Sequence, residues 1–400
     1  MGRKAKKLPS AEERRPLLDA RRNLKMARSA HAYVRGSTAQ FYRWLETDNG
    51  RAIPFGPAIW ICGDCHIGNL GPLADRDGEI EVQIRDFDQA VIGNPAYDLI
   101  RLSLSLASAA RGSDLPGVIT ARMLEKVMEG YEHAFTSGHA DEHVRPPAII
   151  EAALRRSLKR TWKHLAKERI ENTMPSIPLG KRFWKLSRKE MQAVHELFEK
   201  DQVRRLVTML RARDNNASIT VVDAAYWVKG CSSLGNLRIA VLVQVDDEKD
   251  GLCLIDIKEA VKPAAPQETE SPMPTDQAER VVQAARHLSP FLGDRMLAEH
   301  LLDRSVFLRE LMPQDLQLDI EQLSSDEATD TAGYLAFVVG KAHAGQMNAA
   351  TRKKWLELLK KHRSKTLDAP SWLWSSIVDL ITSHEAAYLE HCRKYAFQRN

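Results

Sequence analysis

The chain has 400 residues, 44% of them hydrophobic and 28% charged, with 58 Lys and Arg against 53 Asp and Glu for a net charge of +5. That length supports two or three domains with ample cores, while the mild charge argues against a dedicated nucleic-acid binder and no apolar run could span a bilayer. Five cysteines are an odd and sparse set, which argues against a disulfide framework and suits a reducing cytoplasm.

In chain order, residues 1–50 show helical periodicity. The opening MGRKAKKLPSAEERRPLL is basic but lacks an apolar core, so it does not read as a signal peptide. Position 6 is Lys, where myristoylation needs Ser or Thr. Residues 58–61 read as a strand and are followed by a tight loop, Gly63 to Asn69. Two strands, 70–73 and 79–85, then flank Asp77 and Gly78, a dipeptide that signals a two-residue hairpin turn. A pivot between residues 77 and 78 sets Asn69 opposite Asp86, and Pro72 suits only an edge. Asp98 is placed to cap a helix over 99–110. Residues 115–212 again read as largely helical.

The character then changes. Residues 217–225 are β-branched, 229–236 form a glycine-serine turn, and 237–245 and 252–260 read as strands. A mobile loop is expected over 263–275, a helix over 277–288, a strand over 305–311 and a helix over 331–344. Helices from 115–200 and 350–400 carry Trp162, Trp184, Trp355, Trp372 and Trp374, which suit core packing or the lining of a pocket.

The chemistry concentrates in residues 63–88. An amide oxygen from Asn69 and carboxylates from Asp86 and Asp88 converge at one end of a small sheet. That is a hard-cation site, and magnesium held by one or two carboxylates plus substrate phosphates fits it. Cys62 to His66 also spells C-x-x-C-H, the attachment pattern of c-type haem. Its strand context and the lack of an export signal argue against haem, and the isolated Cys231, Cys253 and Cys392 give zinc no second ligand pair. Neither haem nor zinc is expected, and Cys62 and Cys65 are read as half-buried packing residues. The basic runs 4–7, 155–167 and 352–363 read as solvated helix faces, without the aromatic platforms of a nucleic-acid surface.

The 63–88 stretch resembles the catalytic segment of kinase-like phosphotransferases, particularly small-molecule kinases of the aminoglycoside and choline type. The resemblance implies that Asp64, five residues before Asn69, is the catalytic base. His66 takes the place of a phosphate-contacting Lys, and Asp86 of the metal-binding Asp. Residues 93–99 are similar to the P-x-x-D-L segment that follows in those enzymes. In the second half, Gly230, Ser232, Ser233 and Gly235 take the place of the phosphate-covering loop, and Lys258 that of the phosphate-neutralising Lys. The helix ending Gly340 to Ala344 is of the kind that feeds a catalytic loop, yet the loop lies far earlier in the chain. The elements thus follow kinase order from a different starting point. This implies an α+β, two-lobed, protein-kinase-like fold, circularly permuted so that the catalytic loop precedes the small lobe. The large lobe would be mostly helical, spanning 1–212 and completed by 321–400, with a β-rich nucleotide-binding lobe over 213–320.

Several motifs also resemble the bacterial family called domain of unknown function 2252. They include Arg35-Gly36, the 63–69 loop, Asp86-Phe87-Asp88, Lys258-Glu259-Ala260, Arg280-Val281-Val282 and Arg309-Glu310-Leu311. Two features depart from kinases. Asp256, on the same strand face as Lys258, disfavours a buried adenine, and the Glu partner of Lys258 is not obvious, Glu279 being the candidate. The expected function is transfer of a phosphoryl group from magnesium ATP to a hydroxyl or amine of a small molecule. Nucleotidyl transfer and an inert kinase-like binding module fit the same motifs. No membrane or nucleic-acid partner is expected.

Overall fold

A computed structural model describes the chain except residues 1–8, 114, 137–143, 170–175, 211–212, 215, 232, 247–250, 269–270, 317, 319–323, 362–368 and 396–400. Helices α1 (Arg14–Met26), α2 (Ala30–Gly36), α3 (Thr38–Trp44) and α4 (Asp48–Arg51) lead to β1 (Ile59–Ile61), a single 3-10 turn (Ile67–Asn69), β2 (Leu70–Ala74), β3 (Ile80–Ile84) and β4 (Val91–Gly93). Next come α5 (Ala96–Gly112), α6 (Gly117–Thr136), α7 (Ala148–Leu158), α8 (Trp162–Arg169), β5 (Phe183–Trp184), α9 (Arg188–Phe198) and α10 (Asp201–Thr208). The second half supplies β6 (Ile219–Trp227), β7 (Arg238–Val245), β8 (Leu252–Glu259), α11 (Gln277–Leu288), α12 (Pro290–Gly293), β9 (Met296–Leu301) and β10 (Arg304–Glu310). Three helices close the chain: α13 (Ser325–Ala344), α14 (Ala349–Lys360) and α15 (Ser371–Tyr395).

The architecture is α+β. Six strands form one antiparallel sheet in the order β5-β6-β7-β8-β10-β9, while β1 pairs with β4 and β2 with β3. Central strands β7 and β8 are rich in Ile, Val and Leu because both faces are covered. Ile239, Val241, Val243, Ile255 and Ile257 pack against Leu18 of α1, Val194 and Leu197 of α9 and Val203 of α10. On the opposite face, Ala240, Leu242 and Leu254 meet Phe183 and Trp227. That second face changes character along the strands. Strand alternation also puts Arg238, Asp256 and Lys258 on it, and of these Arg238 and Lys258 line the cleft described below.

A larger core joins α5, α6 and α13 to the two small sheets through side chains such as Leu102, Leu106, Met123, Val127, Leu335 and Val339. Capping boxes start two of the helices, Ser187 with Glu190 at α9 and Ser324 with Glu327 at α13. At α11, the Asp276 carboxylate accepts from the amides of Ala278 and Glu279, both at 2.9 Å. Among the described residues, no helix is long and apolar enough to cross a membrane.

The strands expected at 217–225, 237–245, 252–260 and 305–311 appear as β6, β7, β8 and β10 with ends shifted by two residues or fewer. The 70–85 hairpin differs in its turn. Leu70 pairs with Ile84 and Pro72 with Val82, so Asn69 faces Arg85 and not Asp86, with the Arg85 amide donating to the Asn69 carbonyl at 2.8 Å. The cause is Asp75. Its carboxylate accepts from the amides of Asp77 and Glu79 at 2.9 and 2.8 Å. This local side-chain bonding widens the Asp-Gly turn into a loop over 75–79.

Candidate functional site

A cleft of about 320 Å³ is lined by the 64–69 loop, residues 85–89 after β3, the 229–233 turn between β6 and β7, the charged sheet face, and side chains from α1 and α2. Its shape depends first on the loop. Gly63 has φ +72°, and a Cβ there would lie 2.1 Å from the Gln89 carbonyl oxygen, so only glycine fits. Asp98, fully buried, accepts from the amides of Cys62 at 2.7 Å and Gly63 at 2.9 Å. It therefore braces the loop instead of capping its own helix, whose N-cap is Pro95. His343 Nε2 lies 3.2 Å from Asp98, and its Nδ1 lies 2.9 Å from the Tyr131 hydroxyl, to which Trp355 Nε1 donates at 3.1 Å. The helix ending at Ala344 thus meets the start of the loop.

Within the loop, Asn69 Nδ2 donates to the Asp64 carbonyl at 2.9 Å, which fixes the Asn69 amide. The Asp64 side chain is engaged from two sides. Thr38 Oγ1 donates to Oδ2 at 2.9 Å, and Arg101 donates to Oδ1 through Nε at 3.1 Å and also through Nη2. His66 is buried at 5% exposure with its Nδ1 unpartnered. Burial lowers its pKa to about 4, so the ring is neutral at pH 7 and would not supply the charge expected of a phosphate-contacting Lys.

Lys258 is the junction between the halves of the chain. Its Nζ lies 2.5 Å from Asp88 Oδ2 and 3.4 Å from both carboxylate oxygens of Asp86. Burial opposes ionisation of Asp86, but Lys258 and Arg309 outweigh it and hold that carboxyl below the usual range. Burial and the neighbouring Asp86 charge push Asp88 the other way, upward. Asp88 Oδ1 is buried without a partner. The expected Glu partner of Lys258 is not used: Glu279 is exposed, and the two aspartates take its place. Arg280, beside Glu279, donates instead to the carbonyls of Asp88 and Val261, each at 3.0 Å, and to that of Ala90, pinning the segment after Asp86.

Asp256 is resolved differently from the adenine conflict its position suggested. Arg238 grips it through Nε at 2.8 Å and Nη2 at 2.5 Å, and two nitrogens of Arg309 lie 3.4 Å away. Burial would raise its pKa, but the two guanidinium groups hold the carboxyl well below the usual range. Gly230 (φ +106°) and Ser233 line the cleft; Gly235 (φ +103°) does not, and belongs to a separate pocket beside Arg15 and Arg304. Ser232 lies outside the described residues. None of the five tryptophans lines the cleft, and Trp184 and Trp355 are fully buried. Cys62 and Cys65 are fully buried rather than half-buried. No group of three or more His, Cys, Asp and Glu side chains suited to a metal converges among the described residues. Two carboxylates and an amide remain, with one carboxylate oxygen unpartnered, and that donor set fits a magnesium ion completed by substrate phosphates and water.

Over residues 14–394 the chain matches the family described as "Uncharacterized protein conserved in bacteria (DUF2252)". The chain belongs to that family. No curated protein and no solved structure matches it. The DUF2252 match covers every cleft residue, including several that motif reading gave no role: Lys25, Arg35, Arg85, Lys229, Arg238 and Arg309. Arg35 and Arg309 stood out only as parts of motifs. Arg238 carried a weak signal, since alternation places a charged residue on the lysine's own sheet face. Lys25 carried none, because a basic residue on an amphipathic helix reads as solvated.

Proposed function

We propose that this protein transfers a phosphoryl group from a magnesium nucleotide, ATP being the expected one, to a hydroxyl or amine of a small molecule. One observation carries the reading. Lys258, on the central sheet, meets Asp86 and Asp88, which lie 172 and 170 residues earlier, in the cleft that also holds Asp64 and Asn69. A circularly permuted kinase-like fold accounts for that meeting, because the β6–β8 sheet strands, α11, β10 and α13 then lead in order to the 63–69 loop. Asn69, Asp86 and Asp88 would hold the divalent ion, whose contribution is to neutralise phosphate charge. Lys258 and the amides around Gly230 and Ser233 would hold the phosphates. Asp64 would orient the acceptor and take its proton as the new bond to the γ-phosphorus forms, the bridging bond breaks, and the nucleotide diphosphate leaves. Rate enhancement in such a site comes mainly from positioning and charge neutralisation.

A second reading rests on Arg101. Its fully buried guanidinium already occupies the Asp64 carboxylate, which leaves that carboxylate less free to meet an acceptor and favours a kinase-like module that binds a nucleotide without turning it over. Arg238 and Arg309 beside the cleft also suit a nucleotide bound in reverse, with AMP as the transferred group. Thermal melting with ATP and magnesium tests the shared core of these readings. Ligand at 100 times its dissociation constant adds about 2.7 kcal/mol of stability. A magnesium-dependent shift is expected in the wild type and not in Asp86→Ala; no shift with any nucleotide would sink the reading. Acceptor labelling from γ-labelled ATP, lost in Asp64→Asn, separates phosphoryl transfer from the inert module, and labelling from the α-phosphate alone marks AMP transfer.

A further inference from the structure

Each aspartate at or behind the cleft has a cation of the protein as a partner. Asp64 has Arg101, Asp86 and Asp88 share Lys258, and Asp256 has Arg238 and Arg309. Two cations that line the same cleft have no carboxylate among the described residues. Arg35, half-buried in the last turn of α2, makes no ion pair, and Lys25 of α1 donates only to the Gly230 carbonyl at 2.8 Å.

Their location is specific. Arg101, while gripping Asp64, also donates to the Val34 carbonyl at 3.3 Å, and Thr38 donates to Asp64 at 2.9 Å. Arg35 therefore sits on a segment tied to Asp64 from both sides. A Cβ on the next residue, Gly36, would lie 3.2 Å from Cys231 Sγ, so the same segment abuts the glycine turn. Between these parts, His66 lines the cleft, and its buried Nδ1 has no partner. The charge of Arg35 is felt both by His66 and by the Cys231 thiol.

We propose that Arg35 and Lys25 form an oxyanion site on the Asp64 side of the cleft, which takes a carboxylate or phosphate group carried by the acceptor. The acceptor role rests on the phosphotransferase reading; the oxyanion site does not. An anionic tail held by Arg35 would place the remainder of a small acceptor against Asp64 and the His66 ring, while the nucleotide phosphates keep Lys258. A planar guanidinium suits two-pronged binding of either oxyanion.

The test is thermal melting at constant ionic strength, with inorganic phosphate and malonate as probes against chloride, so that general screening cancels. Wild type should melt about 1 °C or more higher in a saturating probe than in chloride. Arg35→Gln should lose that shift while keeping the shift given by magnesium ATP. Lys25→Gln, a change at an exposed helix position, should weaken the probe shift and serves if Arg35→Gln does not fold. The phosphate and malonate arms tell which oxyanion is preferred. No probe shift in wild type, or an undiminished one in the Arg35 or Lys25 variant, overturns the site. Loss of both shifts in Arg35→Gln would assign Arg35 to the nucleotide and overturn the acceptor role. A probe shift that needs Arg35, in a protein indifferent to magnesium ATP, would sink the phosphotransferase reading and leave the oxyanion site standing.

Discussion

Two clusters on one face of the sheet use the same residue types to opposite effect. Around Asp256, one fully buried carboxylate meets two guanidinium groups, and the charge is held low in pKa. Around Lys258, two carboxylates meet one ammonium; one carboxyl is driven down, its neighbour is driven up, and Asp88 Oδ1 has no partner. The first cluster is complete in itself. The second is short of one positive charge, which a divalent ion would supply. Only Ile257 separates Asp256 from Lys258 on β8, so sheet position is nearly equal, and the difference lies in stoichiometry and in exposure, the Asp256 side chain being fully buried and that of Asp86 40% exposed. A buried cluster in which every carboxylate oxygen is partnered points to structure, and one beside a cleft that leaves a carboxylate oxygen unpartnered points to ligand.

The largest effect should follow from breaking the matched cluster. Asp256→Asn leaves Arg238 buried opposite a neutral amide, and Arg309 loses the same carboxylate. Removing one partner of a buried pair typically costs about 3–5 kcal/mol. Urea or thermal unfolding should therefore show Asp256→Asn as severely destabilised or insoluble. A loss below about 1 kcal/mol, the range of an exposed pair, would mean that the cluster is not structural.

His66 shows a third way to manage charge at the cleft, which is to carry none. Unfolded, its imidazole takes up a proton near its ordinary 6.5; folded, burial delays that to about 4. Between these values the unfolded chain binds more protons, so stability falls as pH drops from about 6.5 towards 4, by up to about 3 kcal/mol for this one group. His384, also buried and lowered to about 4, acts in the same direction, so the His66 share is read as a difference. The stability gap between wild type and His66→Asn, from urea midpoints, should narrow between pH 7.5 and pH 5. Parallel losses in the two proteins would show that His66 is not held neutral.

What the sequence reveals divides along the same line. Strands β6, β7, β8 and β10 announce themselves through β-branched runs, and the 63–69 loop through its glycines and polar spacing, because these are local signals. Short β5 and β9 carry too little pattern to be read alone. The hairpin register fails at Asp75, whose side chain competes with the Asp-Gly turn, a contest between two local preferences that composition does not decide. Asp98 reads as a helix cap because capping is its commonest local use; its bonds to Cys62 and Gly63 appear only when α5 packs on the loop. The partners of Lys258 and of Asp256 are tertiary facts, set by which strands become neighbours. A charge on a strand says which face it occupies, but not which opposite charge waits there.

The smallest change tests the mismatched cluster and should carry the opposite sign. Asp88→Asn removes the surplus carboxylate but keeps an oxygen able to accept from Lys258, which also retains Asp86. The ammonium is left with one full carboxylate and one neutral acceptor, so no unpaired charge is created. Without divalent ion, the variant should unfold at the same or higher temperature than wild type, with a stability change between zero and about 1 kcal/mol. With magnesium and ATP the ranking should reverse, because the variant offers the ion one carboxylate where wild type offers two. Each outcome bears on the comparison. A variant clearly less stable without ligand would make Asp88 as structural as Asp256, and the charge deficit would lose its meaning. A variant stabilised at rest, yet less responsive to magnesium nucleotide, is the behaviour expected of a carboxylate placed to bind an ion rather than to hold the fold.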